Sequence, residues 1–319
     1  MEYKLRPDFF YMARHPEVFR GEMRKTHYFE GWYYNLKTSS GKTLVVIPGI
    51  SRENSHNSHA FIQIIDDGQS MNIKYDISEF SFTDEPFSIK IGKNEFTLFS
   101  IKLDINEKVR YQGDVYFKNV RVLKKTRYAP SIMGPFSYYP FMQCNHGILC
   151  MNATIKGNID TGKKQMDFDK GRVYIEKNWG SSFPRKYLWL QCNDFEDNKA
   201  SLLLAIADVP FLGSNFRGVI CVLQRGNKQN IFASYYLVRI KTLVINNDYS
   251  EIELKQGKFS IKIKADLEDG LKLIAPNKGC MKDYIYESVT SKVNVQLLYK
   301  NKILFESNGN NAAFEYKDH

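Results

Sequence analysis

Two segments carry the reading of the fold: "GWYYNLKTSSGKTLVVIPGI" (residues 31–50) and "LWLQCNDFEDNKASLLLAIADVP" (188–210). Each runs from an aromatic-rich stretch through a polar turn into an apolar stretch that ends near a proline, Pro48 or Pro210. That pattern predicts a β-hairpin. With Trp32 set over Trp189, the next apolar stretch arrives at Phe61, 29 residues on, and at Val219, 30 residues on. Recurrence of one hairpin pattern 157 residues later predicts a duplicated β-unit.

The rest of the chain agrees. "HAFIQII" (59–65), "SIKIG" (88–92), "DVYFKNVRV" (114–122), "GVICVL" (218–223), "SYYLVRI" (234–240), "FSIKIKADL" (259–267) and "KVNVQLLY" (292–299) are short and rich in β-branched or aromatic residues. Turn residues punctuate them. Helical patterning is confined to "RHPEVFRGEM" (14–23) and a turn near 279–286. No Gly-rich phosphate loop follows a strand, which disfavours a nucleotide-binding fold. The expectation is an all-β chain of two antiparallel β-barrels or sandwiches. The boundary is expected in "NIDTGKKQMDFD", which assigns 1–165 to the first barrel and 166–319 to the second.

Composition narrows the function. Aromatic residues make up 14% of the 319 residues, a share suited to sheets and an apolar cavity. The net charge is +10, but lysines are scattered and form no long basic block. We therefore expect no nucleic-acid partner, with peripheral contact to an anionic membrane surface as the use of that charge. The five cysteines (Cys144, Cys150, Cys192, Cys221, Cys280) are odd in number and lack a CxxC pair, so neither a disulfide framework nor a zinc site is expected. His56 and His59 lie in a polar loop without a third ligand beside them, so no metal is expected there. The N-terminal "MEYKLRPDFFYMAR" has no apolar signal core, and Leu202–Ala207, the longest aliphatic run, is too short to span a bilayer. A cytoplasmic, at most membrane-peripheral, protein is expected.

Strand parity selects the candidate residues, since i and i+2 share a face. In "YFEGWYYN", Glu30, Trp32 and Tyr34 point one way; Phe29, Gly31, Tyr33 and Asn35 point the other. A carboxyl beside an indole and a phenol is a candidate proton donor, or simply a strand-end glutamate. In "YIEKNWGSSFP", Glu176 and Asn178 share a face with Tyr174, and Glu176 either lines a pocket or pairs with Arg185. "WLQCN" puts Trp189, Gln191 and Asn193 on one face, and buried amides need partners. They hold a hydroxyl-bearing ligand or face water. His146 sits mid-strand among apolar residues, where a histidine is more often a satisfied core residue than a catalyst.

Taken together, "HPEVFRG", "YFEGWYYNL", "VVIPGI", "HAFIQIID", "IMGPFSYYPFMQCNHGI", "GRVYIEKNWGSSFPRKYLWLQCN", "LLLAIADVPFLGSNFRG" and "NAAFEY" resemble the tocopherol cyclase family, in order and over nearly the whole chain. The resemblance implies two lipocalin-like β-barrels in tandem and a cofactor-independent closure of a prenylated hydroquinone to a chromanol ring. It also implies a small hydrophobic ligand, a prenylated aromatic or another isoprenoid. Such chemistry needs an acid, with Glu176 favoured over Glu30. It needs orienting groups (His146, Asn178, Gln191, Asn193) and an aromatic wall (Trp32, Tyr34, Trp179, Trp189). One departure is Ala153, where the family pattern carries a second histidine; it puts the substrate in doubt. The alternative reading is a non-catalytic carrier of an isoprenoid or lipid, because fold does not fix function.

Overall fold

The computed structural model describes residues 8–318 apart from 24–25, 67, 107, 140–141, 212 and 247, and apart from the Met23 side chain. The first seven residues of the N-terminal stretch read above lie outside this range. A short helix, α1 (Phe9–Arg14), precedes the strands; Gly21–Met23 is a 3-10 turn, and the turn expected near 279–286 is strand instead. The first sheet contains β1 (Tyr28–Lys37), β2 (Thr43–Arg52), β3 (Ser58–Asp66), β4 (Gln69–Asp76), β5 (Phe80–Asp84), β6 (Phe87–Ile91), β7 (Asn94–Thr97), β8 (Ser100–Asn106), β9 (Arg110–Arg121), β10 (Cys144–Asp160), β11 (Gln165–Asp167) and β12 (Arg172–Gly180). The second contains β13 (Lys186–Cys192), β14 (Ala200–Phe211), β15 (Ser214–Arg225), β16 (Lys228–Ala233), β17 (Arg239–Ile245), β18 (Tyr249–Gln256), β19 (Phe259–Asp266), β20 (Leu271–Asn277), β21 (Cys280–Tyr299) and β22 (Lys302–Asp318).

The two sheets repeat one plan. The first runs β4-β3-β2-β1-β12-β10-β9-β8-β7-β6-β5 and the second β16-β15-β14-β13-β22-β21-β19-β18-β17. Each curls until its ends nearly meet. Asn94 Nδ2 reaches Tyr75 Oη across the first seam at 3.4 Å. Gln256 bridges the second seam to Ala233 N (3.1 Å) and Ile231 O (2.9 Å). The duplicated hairpin is real at this level, since β1–β2–β3 corresponds to β13–β14–β15 in sheet order. The two aligned tryptophans do not correspond, however. Trp32 points into the first barrel and Trp189 points out of the second, toward its partner.

The sheets divide after Gly180, later than the expected 165/166. Strand β12 pairs with both β1 and β10, so the stretch read as opening the second barrel completes the first. Gly180 is the exit point. It has φ +151, and a Cβ there would lie 2.2 Å from the Gln143 carbonyl oxygen. Only glycine fits so close a backbone approach.

Both faces of the central strands are buried. Trp32, Tyr34 and Leu36 fill the first barrel, and Leu188, Leu190 and Cys192 fill the second. The opposite faces of the same strands meet in a third apolar cluster that includes Tyr33, Tyr174, Trp189, Leu203 and Ala313. Strands buried on two sides read as continuous apolar runs, which is why "SLLLAIA" does not alternate. The segment 15–20 packs against one end of the first barrel. Trp32 Nε1 donates to Glu17 O (3.1 Å) and Lys177 Nζ to Val18 O (2.6 Å). A Cβ at Gly147 would lie 2.5 Å from Pro16, so the glycine of "NHG" makes room for this segment.

Polar brackets tie the barrels together. Gln63, 4% exposed, donates from Nε2 to Ile274 O (3.0 Å) and accepts from Ile274 N (2.9 Å). Gln63→Ala would leave both backbone groups without a partner. A loss of about 1–3 kcal/mol is expected in denaturant unfolding; unchanged stability would show that the bracket does not couple the barrels.

Candidate active site between the barrels

A cavity of about 200 Å³ lies between the two barrels, walled mostly by apolar side chains such as Ile47, Phe61, Met133, Phe136, Ile220 and Ile285. Its polar lining includes His146, Glu176, Asn178, Tyr33, Tyr187 and Glu315. Strand register explains why these residues meet. In the first sheet Tyr33 stands opposite Glu176, and His146 opposite Asn178. In the second sheet Trp189 stands opposite Glu315, and Glu287 opposite Glu315. Each barrel thus offers one aromatic–glutamate pair from equivalent strands. Each aromatic also reaches across to the other barrel's acid: Trp189 Nε1 donates to Glu176 Oε2 (3.1 Å) and Tyr33 Oη donates to Glu287 Oε1.

Glu176 is held by donors on both oxygens. Tyr174 Oη (2.6 Å) and Trp189 Nε1 bond Oε2, and Asn178 Nδ2 (3.0 Å) bonds Oε1. These are its partners, and not Arg185, the alternative to a pocket position. With its amide nitrogen on Glu176, Asn178 turns Oδ1 to His146 Nδ1 at 3.0 Å. Nδ1 is then the donor. Nε2 remains the open ring nitrogen, 3.5 Å from Glu176 Oε2 and without a hydrogen-bond partner. Asn178 thus fixes the imidazole's tautomer and orientation.

The second carboxyl group pair was not singled out from sequence. Glu287 is fully buried, and Glu315 is half-buried beside the cavity. Burial, then the charge of Glu315, pushes the Glu287 carboxyl well above the usual range. Burial also raises Glu315, up to about 7, with the Tyr187 hydroxyl, 2.8 Å from Oε2, pulling the other way. Two carboxyls facing each other in an apolar setting cannot both ionise readily, so the pair retains a proton near neutral pH. The available signal was a carboxylate next to aromatic or apolar neighbours, in "NAAFEY" and "YIYESV".

Several expected site residues lie elsewhere. Glu30, Trp32, Tyr34 and Trp179 sit on the other face of the sheet, toward the first barrel's interior. Glu30 is 0% exposed and bonds Lys177 Nζ at 2.5 Å, Arg20 N at 3.0 Å and Tyr28 Oη at 2.7 Å. Lys177 lies 4.8 Å over the rings of both Trp32 and Trp179. Gln191 and Asn193 are buried but do not line the cavity; Gln191 Oε1 accepts from Asn35 Nδ2 at 3.1 Å. Ala153 is in the first barrel's core, so the missing histidine does not face this cavity. Among the described residues, no cluster of three His, Cys, Asp or Glu could hold a metal ion, and no helix is long and apolar enough to cross a membrane.

The tocopherol cyclase-like family matches residues 122–316, most of the chain and most of the residues around the cavity. The chain belongs to the tocopherol cyclase-like family. Among its relatives, a probable chloroplastic tocopherol cyclase of Oryza sativa subsp. japonica is 35% identical over 78 residues, and the chloroplastic tocopherol cyclase of Zea mays matches equally. Those alignments cover 24% of this chain and only 16% of each plant protein. In fold, the chain is similar to CghA solved with Sch210972, with a TM-score of 0.57, 10% identity and coverage of 91% of this chain and 88% of that one. A putative AttH from Nitrosomonas europaea gives 0.52, 12% identity, 91% and 92%. The family and the architecture of paired lipocalin-like barrels are as expected from the sequence.

His146→Phe should keep the fold, because phenylalanine fills the ring's place, but it removes both ring nitrogens and with them the bond to Asn178. We expect a drop in turnover of roughly 10²-fold, with ligand binding retained. Unchanged turnover in a prenyl-hydroquinone assay would exclude His146 from proton transfer.

Proposed function

We propose that the protein is a cofactor-independent cyclase that closes a prenylated hydroquinone, or a related isoprenoid phenol, into a chromanol-type ring. The observation that carries this reading is the cavity's composition: apolar walls with a half-buried carboxyl on one barrel and an imidazole nitrogen without a hydrogen-bond partner on the other. Glu315, fed by Glu287, delivers its proton to one carbon of the trisubstituted alkene, leaving a tertiary cation at the other. Tyr33 and Trp189, edge to face at 5.3 Å, present aromatic electron density to that charge. The phenolic oxygen then attacks the cation, forming the C–O bond, and its proton passes to His146 Nε2. Proton gain and loss balance, and product mass equals substrate mass. Glu176 positions His146 through Asn178 and fixes Trp189, a different role from the acid the sequence suggested.

The test is incubation of the purified protein with a panel of prenylated hydroquinones under reducing conditions, followed by chromatography with mass detection. A product of unchanged mass and altered retention supports the cyclase. Unaltered ligand recovered bound to the protein would replace it with the carrier reading.

A further inference from the structure

The cavity is flanked by an aromatic surface whose members touch one another but remain largely exposed. Phe10 is 66% exposed on α1 and packs its edge on Tyr138, ring centroids 5.9 Å apart. Tyr138 Oη bonds Arg127 O at 2.9 Å, and the next residue, Tyr128, is 54% exposed. Tyr128 lies against Tyr236 at 6.2 Å, and Leu237 follows, 83% exposed. These contacts make one continuous strip. Its inner neighbours, Phe136 and Tyr235, line the cavity. Leu237 has φ +60, a left-handed conformation uncommon for a leucine, so the backbone is held in a costly shape that turns an apolar side chain into solvent.

Charge around the strip has one sign along the two segments that build most of it. No Asp or Glu occurs from residue 115 to 159 or from 209 to 247, which carry six and five Lys or Arg respectively. Lys124, Arg127 and Arg239 are exposed within a few residues of Tyr128 and Leu237. The acids nearest the α1 end are already engaged: Asp8 caps the helix, and Glu85 accepts from Tyr11 Oη at 2.6 Å. Exposed aromatics and aliphatics ringed by cations match the surface of an anionic bilayer, where apolar groups enter the acyl boundary and cations meet headgroups.

We infer that this strip docks the protein on an anionic lipid bilayer, with the cavity mouth facing the membrane. The inference deepens the cyclase reading by naming the phase that delivers an isoprenoid substrate. Its test is independent of turnover. The full chain is sedimented with phosphatidylcholine vesicles with or without phosphatidylglycerol. Binding is expected to the anionic vesicles only and to weaken as salt rises. Phe10→Gln with Leu237→Asn should reduce it by about ten-fold or more. Both replacements suit their backbone, asparagine being at home in the left-handed region. Lys124→Gln with Arg127→Gln should also weaken it, and turnover of detergent-dispersed substrate should not change in either variant. Absence of binding to anionic vesicles, or equal binding by the Phe10/Leu237 variant, overturns the inference. So does a change of oligomeric state in that variant, which would make the strip a contact between copies of the chain.

Discussion

Glu315→Gln is expected to lower turnover of a prenylated hydroquinone by roughly 10²–10⁴-fold while leaving the ligand bound, the range set by loss of a positioned general acid. Glutamine keeps the shape and can still accept from Tyr187, so the loss would report the proton and not the packing. The pH dependence follows the same group. With the carboxyl raised to about 7, its proton-bearing form disappears above that value, so the wild-type rate should fall as pH rises through 7. Stability should move in the same direction. The folded-state value lies above the ordinary 4.5, so between these values the folded protein holds a proton that the unfolded chain has released. That contribution is complete below about pH 4.5 and is lost as pH rises through 7, amounting to at most about 3 kcal/mol. Glu315→Gln should flatten this part of the stability curve. A variant with full activity and an unchanged pH profile would remove Glu315 from the mechanism.

Glu30→Leu is expected to cost about 3–5 kcal/mol of folding stability, because it strips the fully buried Lys177 ammonium of its carboxylate partner. Both side chains of the pair are 0% exposed, so water cannot replace the lost partner without disrupting the packing. Burial already brings the Lys177 ammonium down to about 8, with Glu30 the largest opposing influence. Adding Lys177→Met should recover a substantial part of the loss, and the shortfall from full recovery would combine what Glu30 gives to Arg20 N and Tyr28 with what Lys177 gives to Val18 O and the two indoles. Urea unfolding of the two single variants and the double variant reads all three quantities. The double variant should still bind a prenyl ligand, since neither residue lines the cavity. Loss of that binding with the fold intact would place Glu30 in the site after all.

The fold was legible because strand periodicity, aromatic content and the recurring hairpin all point to the same architecture. Parity was legible too: Glu30, Trp32 and Tyr34 do share a face, as do Trp189 and Gln191. What parity cannot state is which face looks at the ligand when both are buried. Trp32 and Trp189 resemble each other locally, yet one fills a barrel and the other fills the junction between barrels. The boundary was misplaced because β12 closes the first barrel by pairing with β1, more than a hundred residues earlier. Glu287 and Glu315 were hidden for a similar reason. Each is one of several acids in its strand, and only the β21–β22 register brings the two face to face. Of the residues singled out by parity, Glu176, Asn178 and His146 do line the cavity.

Proton delivery to carbon can be followed directly. Cyclisation of a prenylated hydroquinone in D₂O, with the product then returned to H₂O to exchange its remaining hydroxyl, should leave one non-exchangeable deuterium on the new ring. Its appearance should depend on Glu315. A cyclic product without deuterium on carbon, or a Glu315→Gln variant that incorporates it at the wild-type rate, would contradict acid-initiated closure between the barrels.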